Sequence, residues 1–151
     1  MKNLILISFT SLLLISCKEG NSAINPNGTY ELNEGKEDLD GNYIGYSGEI
    51  KVKQIEDNKL VVNFYICKGH PSYNLGIFID TLEYKNNVAI YRDKDLKKAC
   101  TLELLFKKNG IKLKENANYE YGNCWGHGVY AHGFFKKTSI QIPNNKELLE
   151  D

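Results

Sequence analysis

The sequence predicts an all-β fold, an antiparallel up-and-down meander of about eight strands that closes into a small barrel. Three observations predict it. Apolar residues recur at every second position in several segments, turn signals separate these segments at spacings of roughly 10–14 residues, and no amphipathic helix lies between them. An open sheet of this size would leave long unpaired edges, which closure removes. A β-sandwich is the alternative.

The first two strands flank an acidic loop. Gly28–Leu32 forms a short first strand, and the loop 33–42 contains glycine and several carboxylates. The second strand runs over Tyr43–Ile55, where Ile50 and Val52 alternate with charged neighbours. Since successive side chains of a strand point to opposite faces, these two residues are expected in the core.

The third strand carries the clearest period of two. A turn at 56–58 precedes it. Its two faces are Leu60, Val62, Phe64 and Ile66 on one side, and Val61, Asn63, Tyr65 and Cys67 on the other. We expect the first set in the core, which leaves Cys67 pointing outward.

The middle of the chain continues as strands. The fourth strand covers Leu75–Leu82, and the turn 85–87 leads into the fifth, Val88–Tyr91. The sixth strand places one set of apolar residues on a single face: Cys100, Leu102, Leu104 and Phe106.

The last two strands follow a strong turn signal. Asn109-Gly110 predicts a hairpin with a type I′ turn, because both central positions of that turn need a positive φ. The seventh strand is 111–114 and the last is Val129–Lys137. A short helix is expected at Asn145–Leu149 in the polar tail.

The first residues are typical of an exported protein. Lys2 precedes an apolar run from Leu4 to Ile15, which is shorter than the roughly 20 residues that span a bilayer and indicates a secretory signal. Ser16 and Cys17 then resemble the lipobox of bacterial lipoproteins. That resemblance implies cleavage after Ser16 and a diacylated Cys17, with palmitate as an expected chain. An ordinary signal peptide with a coincidental cysteine is the alternative.

These features predict four regions and an envelope location. They are a signal peptide (1–16), a lipidated tether (17–27), a β-barrel domain (28–138) and a polar tail (139–151). The signal peptide contains one charged residue, Lys2, so 18 Lys and Arg residues face 19 Asp and Glu residues in the rest. A domain of nearly zero net charge gives no reason to expect nucleic acid as a partner. We expect the chain to be lipid-anchored to a membrane of the cell envelope, on the periplasmic side or the outer surface.

Three cysteines remain once Cys17 carries lipid. An oxidising compartment predicts one disulfide and one free thiol among Cys67, Cys100 and Cys124, although spacing alone does not choose the pair. Cys100 shares a face with the core residues of its strand, which favours Cys100–Cys124. Cys67–Cys124 is the alternative.

Two segments share the pattern Cys-x-Gly-His. They are residues 67–70 and residues 124–127. A zinc site of Cys67, His70, Cys124 and His127 is therefore one reading, because Zn²⁺ accepts thiolate and imidazole ligands. A disulfide with two loop histidines is the alternative, and we expect no cofactor.

Glycines and aromatic residues concentrate in segment 122–135, which precedes and enters the last strand. Such a segment is typical of a binding loop at a barrel mouth, where aromatic rings stack on a ligand. The candidate ligand-binding residues are Trp125, His127 and Tyr130 there, with His70 and Tyr73 in the loop 69–74. A disulfide-anchored corner whose aromatic rings fill the barrel end is the alternative.

Catalytic patterns are missing from the sequence. Ser72 lies near His70 without a nucleophile elbow, no pair of acids suggests a glycosidase, and the acidic residues 34–40 lack EF-hand spacing. The sequence therefore predicts a protein that is not an enzyme.

The C-terminal half is similar to a group of small bacterial lipoproteins without an assigned activity. The blocks that carry the resemblance are 100–106, 109–111, the run Cys124-Trp125-Gly126-His127-Gly128-Val129-Tyr130, and 133–137. The group resembles, more distantly, the calycin-like barrels of lipoprotein lysozyme inhibitors. The resemblance implies a calycin-like barrel and a Cys100–Cys124 disulfide.

The distant group would imply inhibition of c-type lysozyme through a Ser-Gly-x-x-Tyr loop. This chain has Ser47-Gly48 but Lys51 where that loop has tyrosine. The functional expectation is a membrane-anchored, non-enzymatic binding or inhibitor module at the envelope, with lysozyme as one candidate protein partner. A structural or accessory lipoprotein without a ligand, or an envelope hydrolase, is the alternative.

Overall fold

Eight antiparallel strands close into a barrel in the computed structural model, which describes residues 24–93, 100–117, 124–125 and 128–149. The strands of the chain are β1 (Gly28–Asn33), β2 (Lys36–Glu37), β3 (Tyr43–Ile44), β4 (Tyr46–Glu56), β5 (Lys59–Lys68), β6 (Asn74–Lys85), β7 (Val88–Arg92), β8 (Thr101–Lys107), β9 (Gly110–Asn116) and β10 (Phe134–Ser139), and one helix, α1 (Asn145–Leu149), follows. The predicted all-β barrel is confirmed. The signal peptide, Cys17 and His127 lie outside the described residues.

The strands of the barrel follow chain order, apart from β2 and β3, which lie outside it. Its strands run β1-β4-β5-β6-β7-β8-β9-β10 and back to β1, while β2 and β3 form a separate ribbon in the connection between β1 and β4. The predicted second strand is therefore divided at Gly45, whose φ of 124° favours glycine. Closure pairs β1 with both β4 and β10, which removes the long edges of an open sheet.

The interior of the barrel is filled by apolar side chains. The predicted inner face of β5 is confirmed, because Leu60, Val62, Phe64 and Ile66 are all 0% exposed. Residues from the seven other strands of the barrel join them in one core: Tyr30, Leu32, Ile50, Val52, Phe78, Leu82, Tyr84, Ala89, Leu102, Leu104, Phe106, Ile111, Leu113 and Phe135. A barrel of eight strands is just wide enough for side chains to fill, and these do.

The turn between β8 and β9 differs from the prediction. The hairpin forms around Lys108 and Asn109, but the positive φ values of a type I′ pair occur at Asn86 (54°) and Asn87 (62°) instead. Gly110 lies within β9, where a Cβ would collide with the carbonyl oxygen of Phe135. Glycine is needed there for close packing rather than for a left-handed backbone.

The last strand also begins later than predicted. β10 starts at Phe134 rather than Val129 and continues to Ser139. Val129 and Ala131 are fully buried outside any strand, so their alternation reflects burial against the core.

The two ends of the barrel are different. We call one the turn end, because it has the tight turns 57–58, 86–87 and 108–109 together with residues 24–27 and the end of β10. We call the other the loop end, because it has the long connections 34–45, 69–73 and 117–133, the last described in part.

Residues 24–27 are bonded across the turn end. The Ile24 amide donates to Asn87 Oδ1 at 3.0 Å, and the Ile24 carbonyl accepts from the Tyr84 hydroxyl at 3.0 Å. The Tyr30 hydroxyl donates to the Pro26 carbonyl at 2.7 Å. The chain therefore reaches the barrel at its turn end, and the last four residues of the predicted tether belong to the folded domain.

Helix α1 forms where it is predicted and covers the outside of β5. Asn144 Oδ1 accepts from the Glu147 amide, and Glu147 Oε2 accepts from the Asn144 amide, as in a capping box. Leu148 is buried, and its carbonyl accepts from Asn63 Nδ2 at 3.0 Å. Within the described residues, no helix has the length and apolar character to cross a membrane.

Candidate functional site

A disulfide joins Cys100 to Cys124 at the loop end. It fastens the entry to β8 to the connection that leads to β10, with a Cα–Cα distance of 5.8 Å. The favoured pairing is confirmed, and among the described cysteines Cys67 is free. A closed loop of this length contributes about 3 kcal/mol to stability by chain entropy.

Cys67 lies on the outer face of β5 but is buried, with 8% of its surface exposed. The predicted outward direction is right, and the side chain is nonetheless covered on that face. The Tyr65 side chain lies beside it on the same face. Burial raises the pKa of the Tyr65 hydroxyl, and its hydrogen bond with Cys67 adds to the shift.

The disulfide removes a ligand from the alternative zinc set. Cys124 has no thiolate to offer, which leaves Cys67 and His70, while His127 lies outside the described residues. In the described part of the chain, no group of three or more His, Cys, Asp or Glu side chains could hold a metal ion. The zinc alternative is not compatible with the oxidised chain, because four ligands are needed for a structural site.

Trp125 is inside the barrel rather than on its mouth. Its side chain is 5% exposed and packs against the rings of Phe64, Phe78 and Tyr91, at centroid distances of 5.6, 5.8 and 5.4 Å. The indole Nε1 donates to Glu115 Oε1 at 2.9 Å. The expectation of Trp125 as a ligand-stacking surface is therefore wrong, because the core already covers the ring. The alternative, a disulfide-anchored corner whose rings fill the barrel end, describes Trp125 correctly.

Glu115 fixes the connection that closes the loop end. One carboxylate oxygen accepts from Trp125, and the other accepts from the Ala131 amide at 2.8 Å. Sequence reasoning missed this residue. The signal was its phase, since Glu115 follows Ile111 and Leu113 at every second position and so points inward. A carboxylate at an inward position needs partners.

Tyr130 and His132 come from this connection and are exposed at the loop end. Tyr130 is 46% exposed, and its carbonyl oxygen lies 2.9 Å from His132 Nδ1. His132 Nε2 lies 3.6 Å from Glu34 Oε2, and its ring packs edge-on against Tyr46 at 4.5 Å. The sequence did not indicate Glu34 or Tyr46 as parts of a site.

Tyr46 holds this group on the barrel. Its hydroxyl donates to the Gly128 carbonyl at 3.3 Å, and burial raises the pKa of that hydroxyl. Tyr46 also pairs across the sheet with Lys68, the last residue of β5 before the loop 69–73. Tyr46 therefore links the connection 117–133 to the loop 69–73.

His70 and Tyr73 lie in the loop 69–73 between β5 and β6. The His70 amide donates to the Tyr43 carbonyl at 2.6 Å, and the rings of His70 and Tyr73 lie 6.2 Å apart. Tyr73 has a φ of 47° and is 48% exposed. Among the described residues, His70 Nδ1 is a buried nitrogen without a hydrogen-bond partner.

Asp38 adds negative charge near His70. Its carboxylate accepts from the Asn42 amide at 2.8 Å and from the Asp40 amide at 2.9 Å. The hydrogen bond from Asn42 is the main reason that the pKa of Asp38 is below its usual range, and the nearby His70 lowers it further.

We define the rim as Glu34, Tyr46, His70, Tyr73, Tyr130 and His132. It contains three of the predicted site residues, Tyr130, His70 and Tyr73, on two neighbouring connections of the loop end. It can offer aromatic faces, imidazole nitrogens and a carboxylate to a partner.

The comparisons with known proteins found nothing similar: no family model, curated protein or solved structure matches the chain. The resemblance to small lipoproteins and to calycin-like lysozyme inhibitors stays a prediction.

Proposed function

We propose that the chain is a membrane-anchored bacterial lipoprotein whose barrel is a non-enzymatic binding or inhibitor module at the cell envelope, and that the rim is its binding surface. One observation carries the proposal. The barrel interior is filled with apolar side chains, so a partner has to bind on the outside. The exposed aromatic residues Tyr73 and Tyr130 lie at the loop end, far from the end where the chain enters the barrel.

The orientation of the barrel supports this assignment. A lipid on Cys17 holds the turn end towards the membrane, because residues 24–27 are bonded there. A strand as long as β5, with 10 residues, spans about 33 Å. The rim therefore faces away from the lipid, where a soluble partner can reach it.

The chemistry of the rim favours a protein partner over catalysis. The Glu34–His132 pair is exposed on both side chains, at 45% and 46%, so water screens it. In the described part of the chain, no hydrogen bond activates Ser72 through His70. Tyrosine is enriched at protein interfaces, and the carboxylates of Glu34 and Asp38 would complement a basic partner. Lysozyme is the candidate that the resemblance implies.

A lysis assay tests the rim and the partner together. The turbidity of a cell-wall suspension is followed with a c-type lysozyme and the mature protein. We expect wild type to slow lysis. The double variant Tyr130→Ala with His132→Ala should need about tenfold more protein for the same effect, because truncated anchor residues cost 1 kcal/mol or more.

Ile79→Ala is the matched control, since this side chain is 43% exposed on the outer face of β6, away from the rim. Unimpeded lysis at excess wild-type protein would remove lysozyme as the partner. Equal inhibition by wild type and the double variant would remove the rim as the binding surface.

The anchor has its own experiment. Protein extracted from membranes should begin at Cys17 with acyl chains attached, as read by the mass of the N-terminal peptide. Cys17→Ser should move the protein to the soluble fraction. A non-acylated N-terminus in wild type would refute the anchor and leave the assay of the rim unaffected.

A structural or accessory lipoprotein without a ligand is the second candidate. The burial of Trp125 and the disulfide favour it, because both serve to close the loop end. It differs from the first candidate in one result: rim substitutions would change neither binding nor inhibition of any envelope protein.

A further inference from the structure

The segment between β10 and α1 exposes two large apolar side chains. Ile140 is 78% exposed and Ile142 is 60% exposed. Both flank the chain at the turn end, because Ser139 pairs with Thr29, the second residue of β1. Ile142 also borders a groove with Lys51.

The segment is held at both ends rather than frayed. Pro143 and Leu148 are buried, and α1 is capped by Asn144. Lys53 Nζ donates to Asn145 Oδ1 at 2.8 Å. An apolar pair that a fixed segment presents to solvent marks an interaction surface.

Lysines surround the same end of the barrel. They are Lys53, Lys59, Lys85, Lys107, Lys108 and Lys137. They outnumber the described carboxylates at this end, which are Glu56, Asp57, Glu83 and, in the groove beside Ile142, Glu147. Lys59 is paired with Glu56 at 2.9 Å. Exposed isoleucines and lysines at the same end of the barrel match a bilayer surface, which offers acyl chains below anionic phosphates.

We propose that the turn end docks on the membrane, with Ile140 and Ile142 inserted among the lipid headgroups and the lysines against anionic phosphates. The inference rests on the anchor of the proposed function. Six residues lie between Cys17 and Ile24, and the seven Cα–Cα steps from one to the other reach at most about 25 Å. An anchored Cys17 therefore keeps the turn end within reach of the lipid surface.

Depth-dependent quenching tests the contact on the lipidated, mature protein. The protein is reconstituted in vesicles of phosphatidylcholine with 30% phosphatidylglycerol (a proportion of about 30% gives a clear negative surface potential), with brominated acyl chains as quenchers. Wild type supplies the baseline, because Trp125 is buried at the loop end. We expect Ile142→Trp and Ile140→Trp to add an emission component that is quenched by about half or more.

Ile44→Trp is the matched control, since Ile44 is also exposed, at 46%, but lies in β3 at the loop end. Its added emission should be quenched little. Equal quenching at positions 44 and 142, or no quenching at 140 and 142, would overturn the docking. A component at the short wavelength of a buried indole, from Trp125, shows that each variant is folded.

The charge of the lipid separates the two parts of the contact. In vesicles of phosphatidylcholine alone, quenching of Ile142→Trp should fall severalfold, because the lysines lose their phosphate partners. Unchanged quenching would overturn the role of the lysines. Acylation of Cys17 is measured first by mass, so loss of the anchor is distinguished from loss of docking in an anchored protein.

Discussion

Replacement of Glu115 by alanine should destabilise the loop end strongly. Glu115 is the acceptor for two donors that the fold buries, the Trp125 indole N–H at 2.9 Å and the Ala131 amide at 2.8 Å. Trp125 is 5% exposed and Ala131 is 0% exposed. Neither donor can therefore reach bulk water without movement of the connection.

The expected loss follows from these two hydrogen bonds. A hydrogen bond to a charged group contributes about 1.5–3 kcal/mol, and an unsatisfied buried donor costs about 1–3 kcal/mol. We expect Glu115→Ala to lower the free energy of unfolding by about 3 kcal/mol. Glu115→Gln should lose roughly half of this amount, because its amide keeps one acceptor and turns a donor towards the other N–H group.

Urea unfolding measures the effect, with the fluorescence of Trp125, the single tryptophan of the chain, as the probe. Glu103→Ala is the matched control on the neighbouring strand. Its carboxylate makes an exposed ion pair with Lys114 at 3.4 Å, which is worth less than about 1 kcal/mol. The reasoning is refuted if Glu115→Ala and Glu103→Ala unfold at the same urea concentration.

Three further predictions concern stability and are measured by urea unfolding. Cys100→Ala with Cys124→Ala should lower the free energy of unfolding by about 3 kcal/mol, because the unfolded chain loses its cross-link. An unchanged urea midpoint would contradict a stabilising role of the disulfide. Gly110→Ala should cost about 1–3 kcal/mol, because its Cβ meets the Phe135 carbonyl, and a loss close to zero would mean that β10 shifts freely. The pKa of Asp38 is lowered in the folded state, so its contribution is present above the unfolded pKa and lost as pH falls through the folded one. The stability advantage of wild type over Asp38→Asn should therefore be constant above the ordinary pKa of an aspartate, about 3.9, and shrink as the pH falls below it; a difference that stays constant there would contradict it.

Most of the barrel could be predicted because period two is a direct consequence of the pleat. Leu60 to Ile66 alternate strictly, and all inward positions of that run are buried. The disulfide could be predicted for the same reason, since Cys100 shares a face with Leu102. Strand ends were harder. Val129 and Ala131 alternate like a strand, yet the Ala131 amide bonds to the Glu115 side chain instead of a ladder partner.

The rim could be predicted only in part. Aromatic residues in a glycine-rich segment have the same pattern whether they fill a core or face a ligand, so the sequence leaves both readings of Trp125 open. Glu34 and His132 are in contact although they are 98 positions apart in the sequence, and no local sequence pattern predicts such a pair. The turn at Asn86-Asn87 was also ambiguous, because asparagine tolerates a left-handed backbone without requiring it.

Hydrogen exchange in the presence of a c-type lysozyme tests the central claim most directly, since it locates the surface that a partner covers. The account predicts added protection in 69–74 and 128–133 at the loop end, with none in the turns 57–58, 86–87 and 108–109. Protection at the turn end, or protection of neither end at saturating lysozyme, would contradict it.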